Sequence, residues 1–303
     1  MKVLVILASY NGIKYIKEQI NSILNQIDVE LSIKIFDDGS NDGTIEFLSH
    51  LSNKKRISLF INSRNTGSAA KNFCNSIKQI SVEEFKKYDY VALSDQDDIW
   101  LPNKLKIAVD SLASKNAHLY ASNLILWENN IEKFVIKKDY QQKKFDYLFE
   151  GGSAGCTYVF TSDFALKLQN KLFEINYENW LYFSHDWLIY FFARLNNLIV
   201  FIDSRTEILY RIHDSNVHGQ LNNKNFSAFT KRLNFVLNGW YFEHIKGFSQ
   251  FLNSDSIEFK IYNLYNKNWL TRFWILIRYN FLLVRSKRKF LKFFALSLLP
   301  KTN

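Results

Sequence analysis

The stretch VLVILASYNG, residues 3–12, joins an unbroken apolar run to a polar turn, and it decides the predicted fold. A continuous apolar run without alternation is typical of a strand that is covered on both faces, as strands are in parallel sheets. The run in residues 3–7 is too short for the apolar segment of a secretory signal, and no cleavage site of small residues follows it. We therefore expect the chain to begin with a buried strand.

Helical and strand patterns alternate after this first strand. Ile16, Ile20 and Ile23 recur at helical spacing, and further helices are predicted over residues 44–51 and 68–80. Apolar strands are predicted at residues 31–36, 57–61 and 90–93. Strands that alternate with helices predict an α/β fold, with a Rossmann-like, mostly parallel sheet flanked by helices.

The rest of the chain has a looser pattern. Strands are predicted at residues 156–160, 198–202 and 207–212, and an amphipathic helix is predicted at residues 185–194. From Leu221 onward the pattern is mostly helical, with aromatic residues interleaved with cations. This pattern predicts a C-terminal helical extension that is both basic and aromatic.

Three polar clusters follow predicted strands of the first half: ASYNG (residues 8–12), DDGSNDGT (residues 37–44) and SDQDD (residues 94–98). Ligands of parallel α/β sheets bind beyond the carboxyl ends of the strands. We therefore expect the three clusters to share one edge of the sheet and to form the functional site.

The SDQDD cluster predicts a metal site. Asp95 and Asp97 are two residues apart in an extended segment, so both carboxylates point the same way. Hard cations such as Mg²⁺ and Mn²⁺ prefer oxygen ligands and often keep phosphate oxygens in their coordination shell. The alternative is an acidic turn that caps the next helix, and it remains open for Asp98.

The other polar residues allow more than one interpretation. Asp37 and Asp38 could bind a base and a ribose, or the stretch could be a βα turn with Asp42 or Thr44 as helix cap. Asp186 begins a predicted helix, where an aspartate is ordinarily a cap. Past the last predicted strand, Arg211, His213 and His218 could be structural, or a histidine could bind the ion or a phosphate.

The formal charge of +10 belongs to the C-terminal region, because ten basic residues and no acidic one follow from Lys260 onward. A core helix does not need this charge, and nucleic acid, which aromatic residues and cations together can bind, is the less favoured partner. A helix lying on anionic lipid fits the mixture of cations and aromatic residues best. The two cysteines, Cys74 and Cys156, form neither a metal-ligand spacing nor a disulfide framework, which fits a reducing compartment.

The ordered set ASYNG, DDGSNDGT, NTGSAAKN, SDQDDIWLPNKL, HDW and YRIHDSNVHG is similar to the motifs of family 2 inverting glycosyltransferases with the A-type fold. Within that family the chain resembles bacterial rhamnosyltransferase-type members that build surface polysaccharides. The resemblance implies a glycosyltransferase domain at residues 1–220. It leaves residues 221–303 as a helical region for membrane-surface attachment.

The resemblance also implies roles for individual residues. Tyr10 would stack on the base, and Asp186 would be the general base. Donor binding is implied for Ala8, Tyr10, Asp38, Asn65, Lys71, Asp95 and Arg211. Mg²⁺ or Mn²⁺ would be held by Asp95, Asp97 and His213. The chain departs from the family at His185, where an acidic residue is usual, at Ile212, where glutamine is usual, and at Asp214, where glycine is common.

The expected reaction is inverting transfer of one sugar, L-rhamnose from dTDP-rhamnose, with a UDP-hexose as the alternative donor. The expected acceptor is an undecaprenyl-diphosphate-linked saccharide of O-antigen or capsule synthesis, at the cytoplasmic face of the cell membrane. From the residues alone, two other classes stay open. They are a metal-dependent nucleotidyl or phosphoryl enzyme, and a non-enzymatic binding module that leaves Asp186 without a task.

Overall fold

A computed structural model describes residues 1–52, 56–128, 131–213 and 233–299. The chain forms two compact units. The first unit comprises Met1–Asp139, Gly152–Glu174 and His185–Ile212, and the second comprises Tyr140–Gly151, Ile175–Ser184 and His213–Asn303. The predicted boundary after residue 220 lies outside the described residues, so the division into residues 1–220 and 221–303 stays a prediction.

The first unit contains one mixed sheet in the strand order β3-β2-β1-β4-β8-β6-β9-β5, with β7 paired to β6. The strands are β1 (Lys2–Ser9), β2 (Glu30–Asp37), β3 (Ile57–Ile61), β4 (Tyr90–Ser94), β5 (Ile99–Trp100), β6 (Leu119–Glu128), β7 (Ile131–Ile136), β8 (Val159–Thr161) and β9 (Val200–Arg211). Strands β3, β2, β1 and β4 are parallel, and β6 is parallel to β9. Strand β8 runs antiparallel between β4 and β6.

Helices connect the strands of this unit. They are α1 (Ile16–Leu24), α2 (Thr44–Ser52), α3 (Ala69–Gln79), α4 (Val82–Phe85), α5 (Lys104–Lys115), α6 (Ser162–Glu174) and α7 (His185–Leu195). Ser68 caps α3, since its hydroxyl accepts a hydrogen bond from the Lys71 amide at 3.2 Å. The mixed α/β fold that the sequence predicts is confirmed.

The first strand forms the centre of the core, as predicted. Val3, Leu4, Val5, Ile6 and Leu7 are each completely buried. Strand β1 lies between β2 and β4, so its two edges are paired, and the complete burial of these five successive residues shows that both of its faces are covered. This burial explains why the sequence shows a continuous apolar run there and no alternation.

Two predictions for the second half were wrong in detail. Residues 156–160 do not form one strand, because Gly155–Thr157 is a 3₁₀ turn in which Thr157 Oγ1 donates to the Ala154 carbonyl at 2.7 Å. The strands predicted at residues 198–202 and 207–212 are one strand, β9. Its pairing with β6 shifts between Asp203 and Thr206, and the Asn123 side chain donates to the Ser204 carbonyl at 2.9 Å. The polar break is therefore a β-bulge.

The second unit is helical, as predicted for the C-terminal region. Its helices are α8 (Trp240–Phe248), α9 (Ile257–Lys267), α10 (Trp269–Tyr279) and α11 (Lys287–Ser297). Arg285 is buried and forms ion pairs with Glu150 at 3.1 Å and Asp146 at 3.8 Å, which joins the segment before α11 to Tyr140–Gly151. None of the helices in the described part of the chain is long and apolar enough to cross a bilayer.

Candidate active site

The three polar clusters meet at one edge of the sheet. Ser9 at the end of β1 lies opposite Asp37 at the end of β2, and Leu7 lies opposite Ser94 at the end of β4. Each cluster follows one of these strand ends directly. The predicted common edge is therefore confirmed by the strand register, and it brings together residues that are distant in sequence.

The DDGSNDGT cluster forms a turn that its own carboxylates hold. Asp37 is fully buried and accepts hydrogen bonds from the Ser9 hydroxyl and from the amides of Gly39 and Ser40. Asp42 accepts a hydrogen bond from the Thr44 amide at 3.1 Å, at the start of α2. The βα-turn interpretation therefore accounts for Asp37 and Asp42.

Asp38 organises the loop that carries Asn65. Its carboxylate accepts hydrogen bonds from the Thr66 amide at 2.9 Å and from the Asn62 side chain at 2.9 Å, while the Asn65 amide group donates to the Asp38 carbonyl at 2.8 Å. Asp38 is 3% exposed. Its carboxylate is thus already engaged by protein donors, and its contact with a nucleotide base stays a prediction.

Gln96 joins the first polar loop to the third. Its side-chain oxygen accepts a hydrogen bond from the Tyr10 amide at 2.8 Å, and its side-chain nitrogen donates to the Tyr10 carbonyl at 3.0 Å. A Cβ atom at Gly12 would lie 2.2 Å from the Gln96 side-chain oxygen, so a larger residue there would displace the Gln96 side chain. The Tyr10 side chain is 48% exposed, which leaves its ring accessible for stacking.

For the nucleotide-sugar donor that the resemblance implies, we predict that Gln96→Ala raises the KM by about tenfold, because two hydrogen bonds worth about 1 kcal/mol each no longer order the Tyr10 loop. The kcat should change much less, since Gln96 does not lie at a reacting atom in this scheme. Initial rates at varied donor concentration give both constants.

Gln250→Ala is the matched control. Gln250 makes the same pair of hydrogen bonds, from the Asn176 amide at 2.9 Å and to the Asn176 carbonyl at 3.0 Å, within the second unit. It should leave the donor KM unchanged. Equal KM values for the Gln96 variant and the wild type would remove Gln96 as the residue that positions the donor loop.

The carboxylates of Asp95, Asp97 and Asp186 lie close enough to interact. Burial, and then the nearby charges of Asp97 and Asp186, raise the pKa of Asp95 to about 8. Like charges in a partly buried cluster destabilise one another unless a cation compensates them. Two of the predicted metal ligands, Asp95 and Asp97, thus lie within electrostatic range of the predicted general base.

Two further buried titratable residues, Asp98 and Lys104, lie near this cluster. Asp98 is 1% exposed, and burial and then the charges of Asp97 and Asp95 hold its pKa well above its usual range. Lys104 is also 1% exposed, its Nζ lies 3.4 Å from the centre of the Trp100 ring, and burial lowers its pKa to about 7. The nearby Cys156 and Asp98 groups oppose this lowering without reversing it. Asp98 does not cap the next helix, because α5 begins at Lys104 and its N-cap residue is Asn103.

Arg211 ties the end of β9 to the acidic loop. Its backbone amide donates to Asp98 at 3.2 Å, and its Nε donates to the Asp97 carbonyl at 2.8 Å. The guanidinium pairs with Glu18 and lies over the Trp127 ring at 4.2 Å. Arg211 thus fixes the backbone that carries Asp97, and its predicted donor contact remains a prediction.

Asp186 lies in the first turn of α7, where its carboxylate accepts a hydrogen bond from the Trp187 amide at 2.9 Å. Its backbone carbonyl accepts from the Tyr158 hydroxyl at 3.1 Å. The preceding His185 stacks on Phe73 with ring centres 4.4 Å apart, and a Cβ atom at Gly155 would lie 2.2 Å from its Nε2. The residue that departs from the family pattern therefore packs between structural elements and orients the start of α7.

The remaining predicted residues have different positions. Ala8 lies in β1 and is 6% exposed. Lys71 is partly buried in the first turn of α3. His213 is partly buried but belongs to the second unit, so its predicted metal contact stays a prediction. Asp214 and His218 lie outside the described residues. The sequence reasoning gave no role to Gln96, Lys104, Glu18, Tyr15 or Trp127.

The residues present fit a hard divalent cation. Ligand atoms of Asp95, Asp98 and Cys156 lie within 4.8 Å of one another. Burial, and then the charges of Asp98 and Asp95, raise the pKa of the Cys156 thiol well above its usual range, which disfavours the thiolate that metals bind. The usable donors of this group are therefore the carboxylate oxygens of Asp95 and Asp98, the ligand type that Mg²⁺ and Mn²⁺ prefer, and the predicted role of Asp97 as a ligand stays a prediction.

The chain is similar to known glycosyltransferases. The profile of Glycosyl transferase family 2 matches residues 4–164, and the chain belongs to this family. The chain is 39% identical over 254 residues to dTDP-rhamnosyl transferase RfbG of Shigella flexneri, with 82% of this chain and 86% of that protein covered. The rhamnosyltransferase resemblance is therefore confirmed.

Two solved structures share the fold. One is S. aureus TarS 1-349 in complex with UDP-GlcNAc, with a TM-score of 0.58, 19% identity, and coverage of 94% of this chain and 74% of that chain. The other is mannosyltransferase PcManGT from Pyrobaculum calidifontis in complex with GDP-Man and Mn2+, with a TM-score of 0.56, 13% identity, and coverage of 91% and 74%. These similarities support the predicted A-type fold.

Proposed function

We propose that the protein is an inverting glycosyltransferase that moves one L-rhamnose from dTDP-rhamnose to a hydroxyl of an undecaprenyl-diphosphate-linked saccharide, in O-antigen or capsule synthesis. The observation that carries the proposal is the interaction of Asp95 with Asp97 and Asp186 at one edge of the sheet. The 39% identity to a dTDP-rhamnosyl transferase supports the donor.

Asp95 and Asp97 would hold Mg²⁺ or Mn²⁺ in this scheme. When bound, the cation supplies positive charge that neutralises the departing nucleoside diphosphate. The neighbouring residues hold these ligands in place. Arg211 fixes the backbone at Asp97, and Gln96 holds Tyr10, whose exposed ring would stack on the base.

Asp186 would act as the general base. Its carboxylate removes the proton of the acceptor hydroxyl as that oxygen attacks the anomeric carbon from the face opposite the leaving group. The new glycosidic bond forms as the bond to the diphosphate breaks, the proton stays on Asp186, and the anomeric configuration inverts. No covalent intermediate on the protein is needed.

The proposal places the protein on the cytoplasmic face of the cell membrane, because its acceptor is anchored there by the lipid diphosphate. The basic C-terminal region supports this location, since ten cations without an acid attract anionic headgroups. Nucleic acid is not a partner in this account.

A panel of nucleotide sugars, incubated with acceptor-containing membranes, tests donor and class together. We expect nucleotide release with dTDP-rhamnose that depends on a divalent cation and on the acceptor. Faster nucleotide release with a UDP-hexose would identify that compound as the donor and leave the proposed enzyme class unchanged. Hydrolysis of nucleotides without sugar transfer would instead support a phosphoryl or nucleotidyl enzyme.

A further inference from the structure

Helix α10 exposes a continuous apolar face. Its large apolar side chains are exposed at Trp269 (63%), Leu270 (59%), Phe273 (42%), Trp274 (53%) and Ile277 (54%). Residues at these spacings cover one side of an α-helix. Phe281 and Leu282, each 41% exposed, extend the apolar surface just after the helix. Soluble monomers rarely expose so many large apolar side chains together unless the surface binds something.

The opposite side of α10 is firmly packed, so the exposed face is not a result of a loose helix. Ile275 and Leu276 are buried. Arg272 donates hydrogen bonds from Nε to the Tyr265 carbonyl at 2.8 Å and from its guanidinium to the Ser297 carbonyl at 3.0 Å. These contacts join α10 to α9 and α11 and fix which face points outward.

The charges around this face select its partner. Lys267, the last residue of α9, and Arg278 are exposed near the two ends of α10, and Lys287, Arg288 and Lys292 are exposed on α11. A second copy of the chain would bring two such basic surfaces together, which like-charge repulsion disfavours. An anionic bilayer offers negative charge at its surface and an apolar interior immediately below.

The dimensions also fit a bilayer surface. A helix of 11 residues is about 16 Å long, which is too short to cross a hydrocarbon core of about 30 Å. Tryptophan side chains favour the boundary between headgroups and acyl chains. A short helix with exposed tryptophans and terminal cations is thus suited to lie flat in that boundary.

We propose that α10 lies in the plane of an anionic membrane, with its Trp269–Trp274–Ile277 face inserted among the lipids and the cations around it bound to headgroups. This inference deepens the membrane attachment in the proposed function and rests on it. It names the inserting surface, and it does not depend on the identity of the sugar.

The test compares the full-length protein with Trp269→Ser/Trp274→Ser, using vesicles of phosphatidylcholine alone and of phosphatidylcholine with phosphatidylglycerol. We expect the wild type to float with the anionic vesicles and the double variant to lose at least tenfold in vesicle affinity. Acyl chains that carry bromine should quench the tryptophan fluorescence of the wild type much more than that of the variant.

Phe173→Ser is the matched control, because Phe173 is 63% exposed like Trp269 but lies on α6. It should bind vesicles like the wild type. Nucleotide release from the donor, measured for every variant, separates loss of membrane binding from failure of the catalytic proposal. Wild-type vesicle binding by the double variant would overturn the inference. The inference would also be overturned if the wild type and the Phe173 variant formed a dimer without lipid and the double variant did not. That result would assign the face to a second copy of the chain.

Discussion

Asp186→Asn is expected to abolish sugar transfer, lowering kcat by about 10³-fold, because the neutral amide cannot take the proton of the acceptor hydroxyl. Donor affinity should stay close to that of the wild type, since Asp186 is not among the residues proposed to hold the nucleotide. Transfer is measured as labelled sugar in the acceptor, and donor binding is measured separately by calorimetry with Mn²⁺ present.

Asp163→Asn provides the control for this variant. Asp163 lies in the first turn of α6, as Asp186 lies in the first turn of α7, so both substitutions remove an acid from a helix start. The control should transfer sugar at the wild-type rate. Near-normal transfer by Asp186→Asn would remove Asp186 as the base, and the proton would then need another acceptor.

Asp97→Ala is expected to weaken both donor binding and transfer, with activity reduced by about 10²-fold or more, because metal stabilisation of a leaving group is worth several kcal/mol. The loss should be similar with Mg²⁺ and with Mn²⁺, since both need the same oxygen ligand. EDTA should stop the wild type, and either ion should restore it.

Asp255→Ala removes an exposed carboxylate from the second unit and should respond to EDTA and to added metal like the wild type. Two results would contradict the metal site. One is wild-type activity that survives EDTA, and the other is an Asp97 variant whose donor affinity and metal response are unchanged.

The first half of the fold follows from short-range sequence patterns. Residues 57–61 were predicted as a strand and form β3 with those bounds, and the helix predicted at residues 44–51 became α2, Thr44–Ser52. The prediction of two strands at residues 198–202 and 207–212 was wrong, because the polar residues between them can form either a loop or an irregularity within one strand. Pairing with Asn123 on β6, far away in sequence, decides between the two.

The acidic residues of the site were predictable in part, for a related reason. The strand pattern alone places Asp95 directly after β4, but Gln96 and Asp97 form a bend and not the extended segment that was predicted, and the ligand atoms that group together are those of Asp95, Asp98 and Cys156. Gln96 could not be recognised in this way, because its partner Tyr10 is 86 positions away. Lys104 was equally hidden, since a lysine in the first turn of a helix normally reaches solvent, and its burial against Trp100 depends on tertiary packing.

In the second unit, the sequence pattern did not predict which apolar side chains are buried. Its aromatic and basic residues predicted a lipid surface, but the pattern did not distinguish apolar residues that pack inside from those that face outward. In α10, Phe273 is 42% exposed, whereas Leu276, three positions later, is fully buried. Packing around Arg272 makes this difference, and packing of this kind involves residues from three helices.

A crystal structure of the protein with Mn²⁺ and the intact nucleotide sugar is the most direct measurement of the catalytic account. We expect the ion to bridge the Asp97 carboxylate and the diphosphate, with Asp186 on the side of the anomeric carbon that faces away from the leaving group. A donor bound elsewhere on the chain, or an Asp186 side chain on the same side as the diphosphate, would contradict inverting transfer at this edge of the sheet.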